Sequence, residues 1–231
     1  KWQKLQRLQD IDDILLADDE RTYALIDQMI AACRGMFHSG RIHIGMDEAG
    51  HLGRGVYRDK NGNVPSIEIM CRHLERVIEI CRKYDFKPMM WNDMFFALAG
   101  EGYTPQHGID ASLLKNVPAD VSMVYWDYYA TEQATYDDNF SKQVGLPNEL
   151  IFAGGAWKWS SFSSANYFSM NVSRLALSSA IRHGVKRVFT TLWGDNGNDA
   201  SYYSVLPSIL LFAEYGFNPE ITDEELASRF A

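Results

Sequence analysis

The sequence lacks a long apolar stretch, a positive net charge and a large number of cysteines, and each lack excludes a class of protein. No uninterrupted apolar run approaches the ~20 residues that a membrane-spanning helix needs, so we expect no membrane span. The net charge of −8 argues against a nucleic-acid or anionic-membrane partner and suits a neutral substrate. The three cysteines, Cys33, Cys71 and Cys81, have no metal-type spacing. Together with the absence of a visible signal peptide, this favours reduced thiols and a cytoplasmic location.

Two common catalytic motifs are also missing, namely a Gly-x-Ser-x-Gly nucleophile elbow and a Gly-x-x-x-x-Gly-Lys phosphate loop. The residues His43, Asp47, Glu48 and His51 do include Glu-x-x-His, a spacing that di-iron helix bundles use. Such sites need the motif on helices and in two copies, whereas here glycines flank a single copy. A metal-dependent hydrolase is therefore kept only as an alternative, and we predict no metal and no cofactor.

The composition is that of an α/β domain of ordinary size. The 231 residues are 46% apolar and 23% charged, which is typical of a globular protein with a sizeable core. Five apolar runs of strand length occur, at 41–48, 86–91, 121–126, 150–156 and 187–192. Helical spacing of apolar residues occurs at 20–37, 67–84, 131–144, 164–183 and 200–215. Strands that alternate with helices indicate parallel βαβ units.

Every one of these strands ends in an acid, a tryptophan or both. The residues at these ends are Asp47, Glu48, Trp91, Asp93, Trp126, Asp127, Trp157, Trp193 and Asp195. Because the carboxyl ends of parallel strands lie at one edge of a sheet, these side chains indicate a site there. Tryptophan planes can cover the flat apolar faces of sugar rings. Asp93, Asp127 and Asp195 can instead cap turns or helices; we favour capping for Asp127 and a site role for Asp195.

The run from His43 to Glu48 resembles the His-x-Gly-Gly-Asp-Glu signature of glycoside hydrolase family 20, the β-N-acetylhexosaminidases. Met46 stands where the commoner pattern has a second glycine. The run Gly45–Ala49 followed by Leu52-Gly53 is similar to the branch that includes bacterial exo-β-N-acetylhexosaminidases. The resemblance extends from about Asp10 to the end of the chain and implies a (β/α)8 TIM barrel.

The resemblance implies a role for each residue of the acid pair. Glu48 matches the general acid/base, and Asp47 matches the carboxylate that orients the substrate's 2-acetamido group. In this family the acetamide oxygen is the nucleophile, and the reaction retains the anomeric configuration. Neighbouring acids also favour protonation of one another. This suits Glu48, which must be protonated to donate its proton in the first step.

The resemblance also implies a set of sugar-binding residues. Trp91, Trp126 and Trp193 match tryptophans that surround the acetamide and the sugar face, and Asp195 matches the acid that binds the outer hydroxyls. The family's acetamide-binding tyrosine has no counterpart at its usual place, where the chain reads Trp157-Lys158-Trp159. Tyr128 is the substitute candidate. We add His43 and Trp157 to the predicted substrate-binding set.

The barrel that the sequence predicts is incomplete. If 41–48 is the family's fourth strand, the five strands are strands four to eight, because residues 1–19 are too few for three strands and their helices. We therefore expect 1–231 to be a catalytic domain that is truncated at both ends and lacks the sugar-binding arginine of the first strand. Its two open sheet edges could pair in a homo-oligomer.

These observations lead to one predicted function and one alternative. The predicted function is that of a retaining exo-β-N-acetylhexosaminidase that removes terminal β-linked N-acetylglucosamine or N-acetylgalactosamine from oligosaccharides and glycans. The alternative is a non-catalytic, carbohydrate-binding fragment of such an enzyme, because the same tryptophans would hold a sugar without turnover.

Overall fold

The computed structural model describes residues 8–11, 13–98, 102, 118–144, 146–160, 162–195 and 199–231. Its strands are β1 (Gln9–Ile11), β2 (Ile14–Leu15), β3 (Arg41–His43), β4 (Lys87–Trp91), β5 (Ser122–Trp126), β6 (Leu150–Gly155) and β7 (Val188–Thr191). Its helices are α1 (Glu20–Met36), α2 (Val56–Asn61), α3 (Ser66–Lys83), α4 (Asp93–Ala97), α5 (Gln133–Ser141), α6 (Asn166–Arg182), α7 (Leu206–Tyr215) and α8 (Asp223–Phe230). A 3-10 turn, Tyr202–Val205, precedes α7.

Strands β3 to β7 form one sheet in which each strand lies beside the next strand of the chain. β3 pairs with β4 in parallel, with Arg41 opposite Lys87, and β6 pairs with β7 in parallel, with Phe152 opposite Val188. At least one helix lies in every connection. A strand order that never reverses is typical of a (β/α) barrel, whereas a doubly wound sheet reverses its order at a switch point. The fold is a partial (β/α) barrel, as the sequence predicts.

The chain divides into two compact units: unit 1 comprises 1–123 with 146–149, and unit 2 comprises 124–145 with 150–231. In unit 1, helices α1 and α3 place apolar residues at helical spacing against β3. Ile30 of α1 and Val77 and Cys81 of α3 are buried in one cluster, and Ile42 and Ile44 pack against it. The strongly amphipathic pattern of α3 explains why it buries one face so completely.

A small antiparallel hairpin, β1–β2, lies before α1 in the segment that the sequence pattern indicates only as an acidic connection. Its Asp10 is buried, and its carboxylate accepts hydrogen bonds of 2.7 Å from the amides of Gly53 and Tyr57. Gly55 lies so close to this hairpin that a Cβ atom there would be 2.1 Å from the carbonyl oxygen of Asp10. The hairpin thus holds the glycine-rich loop that follows the acid pair.

Unit 2 has a core that is rich in aromatic rings. The rings of Tyr125, Phe140 and Phe152 pack pairwise with centroids 5.3 to 5.6 Å apart, in edge-on or tilted geometry. Leu211 and Phe212 of α7 complete this core. Gly154 of β6 has no side chain because the Phe212 ring occupies that space, and a Cβ atom would lie 2.6 Å from it.

The predicted strand and helix positions are confirmed, with differences at the ends. The strand predicted at 41–48 ends at His43, because the backbone then turns through left-handed conformations. Ser66 precedes the apolar spacing at 67–84, a position that predicts an N-cap, but it is the first residue of α3, and its hydroxyl donates to the carbonyl of Leu52. Thr222 stands before the acidic run Asp223-Glu224-Glu225, which predicts a helix N-terminus capped by Thr222, and it caps α8 in a reciprocal arrangement with Glu225. A helix considered for Lys1–Leu8 falls almost wholly outside the described residues.

Among the helices of the described ranges, none is both long and apolar enough to cross a membrane.

Candidate active site

In unit 1 the paired strands β3 and β4 end side by side, and hydrogen bonds extend their pairing beyond β3. The amide of Ile44 donates to the carbonyl of Met89 at 2.9 Å, and the amide of Trp91 donates to the carbonyl of Gly45 at 3.0 Å. The backbone of Gly45 is therefore fixed at the carboxyl end of the sheet. In (β/α) barrels this end is where active sites lie.

Immediately after this point the chain adopts an unusual backbone conformation. Gly45, Met46 and Glu48 have φ angles of 75°, 78° and 50°, in the left-handed region that only glycine adopts without strain. Each non-glycine residue in this region costs about 1–2 kcal/mol. Met46 is thus strained at the place where the commoner family signature has glycine. Such outliers persist where the surroundings enforce them, and they occur most often at functional sites.

This turn allows two adjacent acids, Asp47 and Glu48, to face the same cavity. Adjacent side chains on a strand point to opposite faces, so Asp47 and Glu48 could share a site only if the strand ended before them. It ends at His43, and both carboxylates line one cavity of about 460 Å³ in unit 1. The other lining residues are mostly apolar, and most of them come from β2, α1, β3 and α3, with Ile26, Ile30, Ile42 and Val77 among them.

The carboxyl group of Asp47 lies in surroundings that disfavour its charge. Burial of the carboxyl group raises the pKa of Asp47 above its ordinary value of 3.8. Repulsion from the carboxylate of Asp13 raises this pKa by a smaller amount. By accessible area, more than a third of Asp47 and of Glu48 is exposed. Asp47 lies at the rim of the cavity, so part of its side chain is exposed to solvent while its carboxyl group is partly buried. A cationic group placed beside Asp47 would relieve this cost.

His43, the last residue of β3, is held as a neutral imidazole. Its Nδ1 accepts a hydrogen bond from the amide of Gly45 at 3.1 Å, which assigns the ring proton to Nε2. Burial lowers the pKa of His43 to about 4. Its ring packs against Trp91 at a centroid distance of 4.3 Å, tilted by 50°. His43 and Trp91, both predicted substrate-binding residues, therefore lie together at the end of β3 and β4.

Asp93, the first residue of α4, reaches back to the acid pair. Its carboxylate accepts a hydrogen bond of 3.0 Å from the backbone amide of Glu48. Asp93 is 1% exposed, and the preceding Asn92 is 2% exposed. The sequence admits a helix-capping role for this aspartate, but its carboxylate contacts the neighbouring turn.

In unit 2 the strand ends carry a cluster of aromatic rings, which we call the aromatic cluster: Trp126, Tyr128, Tyr129, Trp157 and Trp159. Trp126 stacks on Tyr128 with centroids 5.4 Å apart, and Trp157 stacks on Trp159 at 4.5 Å. Trp159 meets the edge of Tyr128 at 5.6 Å, which joins the two pairs. The predicted residues Trp126, Tyr128 and Trp157 are thus brought together.

Two backbone features fix the aromatic cluster in place. The indole Nε1 of Trp157 donates to the carbonyl of Tyr128 at 2.9 Å. Gly155, in β6, lies beneath the rings, and a Cβ atom there would be 2.8 Å from both Trp159 and Tyr128. The rings therefore lie directly against the backbone of β6, which limits how far they can move.

The remaining predicted residues of unit 2 have different surroundings. Asp127 is buried and accepts hydrogen bonds from the amides of Tyr129 and Ala130 at 2.9 and 3.1 Å, so the predicted capping role is confirmed. Trp193 is half-buried and Asp195 is exposed, two and four residues beyond the end of β7.

Sequence reasoning missed Asp10 and Trp159, which shape these sites, and left the role of Asp93 open. Trp159 was visible as the second tryptophan of Trp-Lys-Trp, but nothing in that spacing indicated which of the two joins Tyr128. Asp10 and Asp93 gave only the signal of acids near turns. Their contacts with Gly53, Tyr57 and Glu48 link positions 43 to 47 residues apart, which no local pattern reports.

A metal centre is not favoured by the arrangement of the described side chains. Within the described ranges, no three His, Cys, Asp or Glu side chains are grouped so that they could hold a metal ion. Glu48 and His51 lie on a turn rather than on a helix, so the Glu-x-x-His spacing does not bring them onto one face.

The partial barrel is similar in fold to solved structures of glycoside hydrolase family 20, which superpose on most of this chain. An exo-β-N-acetylglucosaminidase from Vibrio harveyi, in complex with N-acetylglucosamine, superposes with a TM-score of 0.59 at 14% identity over 95% of this chain. A β-N-acetylhexosaminidase from Streptomyces coelicolor A3(2) gives 0.54 at 15% identity over 86%. A third family 20 β-N-acetylglucosaminidase gives 0.53 at 18% identity over 94%.

This chain spans only 35%, 38% and 42% of the length of those three structures. The structural likeness confirms, at the level of the fold, the resemblance that the sequence motif indicates. No protein-family model matches the chain, and no curated protein matches it by sequence.

Proposed function

We propose that this chain carries the acid pair of a family 20 glycoside hydrolase, a retaining exo-β-N-acetylhexosaminidase. The observation that carries the proposal is Asp47-Glu48 on a left-handed turn at the carboxyl end of a barrel strand. The family 20 fold of the solved neighbours supports the same class of enzyme. The substrates proposed are oligosaccharides and glycans that end in a β-linked N-acetylhexosamine.

In the proposed first step, Glu48 protonates the glycosidic oxygen while the carbonyl oxygen of the substrate's own acetamide attacks the anomeric carbon. The bond to the leaving sugar breaks, and a cyclic oxazolinium ion forms. Asp47 orients the acetamide and balances the positive charge of this ion. Burial raises the pKa of Asp47, and a cation beside the ionised carboxylate would offset the cost of burying its charge.

In the second step, Glu48 removes a proton from water as the water oxygen attacks the anomeric carbon and the ring of the oxazolinium opens. Two inversions at this carbon give overall retention. No side chain forms a covalent bond to the sugar. Neutral His43 and the indole of Trp91, which pack against each other at the ends of β3 and β4, are the proposed contacts to the sugar.

A second candidate function has its own support. The stacked rings of Trp126, Tyr128, Trp157 and Trp159 form an aromatic surface of the kind that binds sugar faces whether or not turnover follows. A non-catalytic carbohydrate-binding role therefore stays as the alternative. Release of 4-nitrophenol from its β-N-acetylglucosaminide separates the two functions, because only the enzyme releases it.

The test of the proposal is the variant Glu48→Gln in the whole protein that contains this chain. General acid catalysis is worth about 10²–10⁴-fold, and good leaving groups need little protonation. We expect kcat for a natural disaccharide to fall by that amount and kcat for the 4-nitrophenyl glycoside to fall much less. Equal losses on both substrates would remove Glu48 from the acid role.

A further inference from the structure

The backbone of Glu48 is held by a side chain from outside its own loop. Its φ of 50° is one that a residue with a side chain avoids in the absence of external constraints. The constraint is a hydrogen bond of 3.0 Å from the Glu48 amide to the carboxylate of Asp93. The two residues are 45 positions apart. The contact therefore belongs to the tertiary structure.

Asp93 is placed rigidly enough to impose this conformation. It is 1% exposed and lies two residues after Trp91, the last residue of β4, whose amide donates to the carbonyl of Gly45. The short helix that begins at Asp93 continues through Met94, Phe95 and Phe96, which are 0%, 1% and 2% exposed. Asp93 thus lies between the rest of the buried helix α4, which follows it, and the end of β4, which is paired with the chain at Gly45. This leaves the Asp93 carboxylate little freedom to move.

The direction of the Glu48 side chain depends on this bond. The φ and ψ angles of a residue set the direction in which its Cα–Cβ bond leaves the chain. If the Glu48 amide were released, its backbone could relax to negative φ, and the carboxyl group would move with it. A general acid must lie within about 2.6–3.2 Å of the oxygen that it protonates, so such a shift has a large effect.

From this geometry we infer that Asp93 is a positioning residue: it holds the Glu48 amide and thereby directs the Glu48 carboxyl group toward the glycosidic oxygen. The inference rests on the proposed function of Glu48 and adds a residue to which no role in the reaction has been assigned. Asp93 contacts neither substrate nor reacting atoms in this scheme. It acts through the backbone of Glu48.

The test compares Asp93→Ala and Asp93→Asn with the control Asp19→Ala, in the whole protein. Asp19 is a fair control because its carboxylate also accepts a hydrogen bond from a backbone amide, that of Arg21 at 3.0 Å, and because Asp19 is not a candidate site residue. The substrates are a 4-nitrophenyl and a methyl β-N-acetylglucosaminide, which have a good and a poor leaving group.

We expect Asp93→Ala to lower kcat for the methyl glycoside by about 10²-fold, since a displacement of ~1 Å can cost that much. The loss on the 4-nitrophenyl glycoside should be far smaller, and KM should change little for either. Asp93→Asn keeps an oxygen acceptor but loses the charge, so it should lose roughly fivefold on the methyl glycoside alone. Asp19→Ala should lower the unfolding temperature without any dependence on the leaving group.

Uniform losses on both substrates in Asp93→Asn, or no loss, would overturn the inference, even if Asp93→Ala fails to fold. A measurement without turnover separates this outcome from failure of the proposed function. The Glu48 amide should exchange with solvent slowly in the wild-type protein and at least tenfold faster in Asp93→Asn. If the two proteins differ in exchange in this way but the wild type hydrolyses neither glycoside, the enzymatic function is refuted. If the Glu48 amide exchanges at the same rate in both proteins, the contact with Asp93 is refuted.

Discussion

At the scale of single residues, Asp47 and Glu48 are adjacent in sequence but differ in how the protein holds them. The Asp47 carboxyl group is crowded by protein and repelled by Asp13. Glu48 is constrained through its backbone amide, in a conformation that few residues adopt. Two neighbouring carboxyl groups thus acquire different properties, as an acid and a charge-balancing group require.

The first residue-scale prediction concerns Asp47 and a thiazoline mimic of the cyclic oxazolinium intermediate. Hydrogen bonds to charged groups contribute about 1.5–3 kcal/mol, so Asp47→Asn should weaken binding of the mimic roughly 10- to 100-fold. Calorimetric titration measures this loss, and binding of neutral N-acetylglucosamine serves as the control because it should change much less. An equal loss for both ligands would argue against a charge-balancing role.

The second residue-scale prediction concerns pH and His43. The folded protein lowers the pKa of His43 from 6.5 to about 4, so the folded state keeps this imidazole neutral while the unfolded chain takes up a proton below pH 6.5. The stability that this group contributes is complete above pH 6.5 and is lost as the pH falls toward 4.

Titration of the His43 ring protons by NMR should show a midpoint near pH 4. The unfolding free energy of His43→Gln, which retains an acceptor for the Gly45 amide, should depend less on pH than that of the wild type between pH 6.5 and 4. A His43 midpoint near 6.5 would contradict the burial that the structure gives this ring.

At the scale of elements, the ends of helices and strands determine where the functional groups lie. Helix α3 is followed by its C-cap, Tyr84, and then by a left-handed residue, Asp85, with φ of 56°. The amide of Asp85 donates to the carbonyl of Arg82, and the amide of Phe86 donates to that of Cys81, both at 3.0 Å. This is the Schellman arrangement, which normally has glycine at the left-handed position, and it leads the chain directly into β4.

The element-scale prediction is that Asp85→Gly stabilises the protein. Removing the side chain relieves left-handed strain of about 1 kcal/mol at an exposed site, so the free energy of unfolding should rise by roughly that amount. Urea denaturation measures the change. Asp85→Ala is the matched control, since alanine has the same difficulty with positive φ and should bring no gain. Equal effects of glycine and alanine would mean that strain is not the cause.

At the scale of the whole molecule, the strand order leaves β3 and β7 as the outermost strands of the described sheet. A strand at an edge presents unpaired backbone groups that can pair with another chain. β3 leads directly into Asp47 and Glu48, so the acid pair follows an edge strand. The chain spans only 35–42% of the length of the family 20 structures that it resembles.

The whole-molecule prediction is that the 231-residue chain, produced alone, self-associates. Sedimentation velocity between about 1 and 100 µM should show a concentration-dependent increase in mass, the range over which weak edge pairing becomes populated. The variant Val188→Lys adds a charge to β7, at a position that is 37% exposed. Because β3 is unchanged in this variant, it distinguishes association through β7 from association through β3. It should reduce association through β7 and leave association through β3 unchanged. A strictly monomeric chain at the highest concentration would contradict the prediction.

The sequence by itself determined the architecture and the identity of the candidate acids. Apolar periodicity located the strands from Lys87 to Thr191 and the helices α5 and α6 to within a few residues, because this signal is local, but it gave no sign of the short helix α4. The motif at 43–48 indicated both the family resemblance and the acid pair, since six adjacent residues suffice for it. The turn signals likewise predicted the capping of Asp127 and Thr222.

Only the tertiary structure decided how these residues are held. The left-handed turn at Met46 and Glu48, the bond from Asp93 to the Glu48 amide and the anchoring of the following loop by Asp10 all involve partners far apart in sequence. Backbone strain can be maintained only by contacts that enforce it, and those contacts form when β3 and β4 pair. The candidate acid pair was therefore visible in the sequence, whereas its geometry came from the fold.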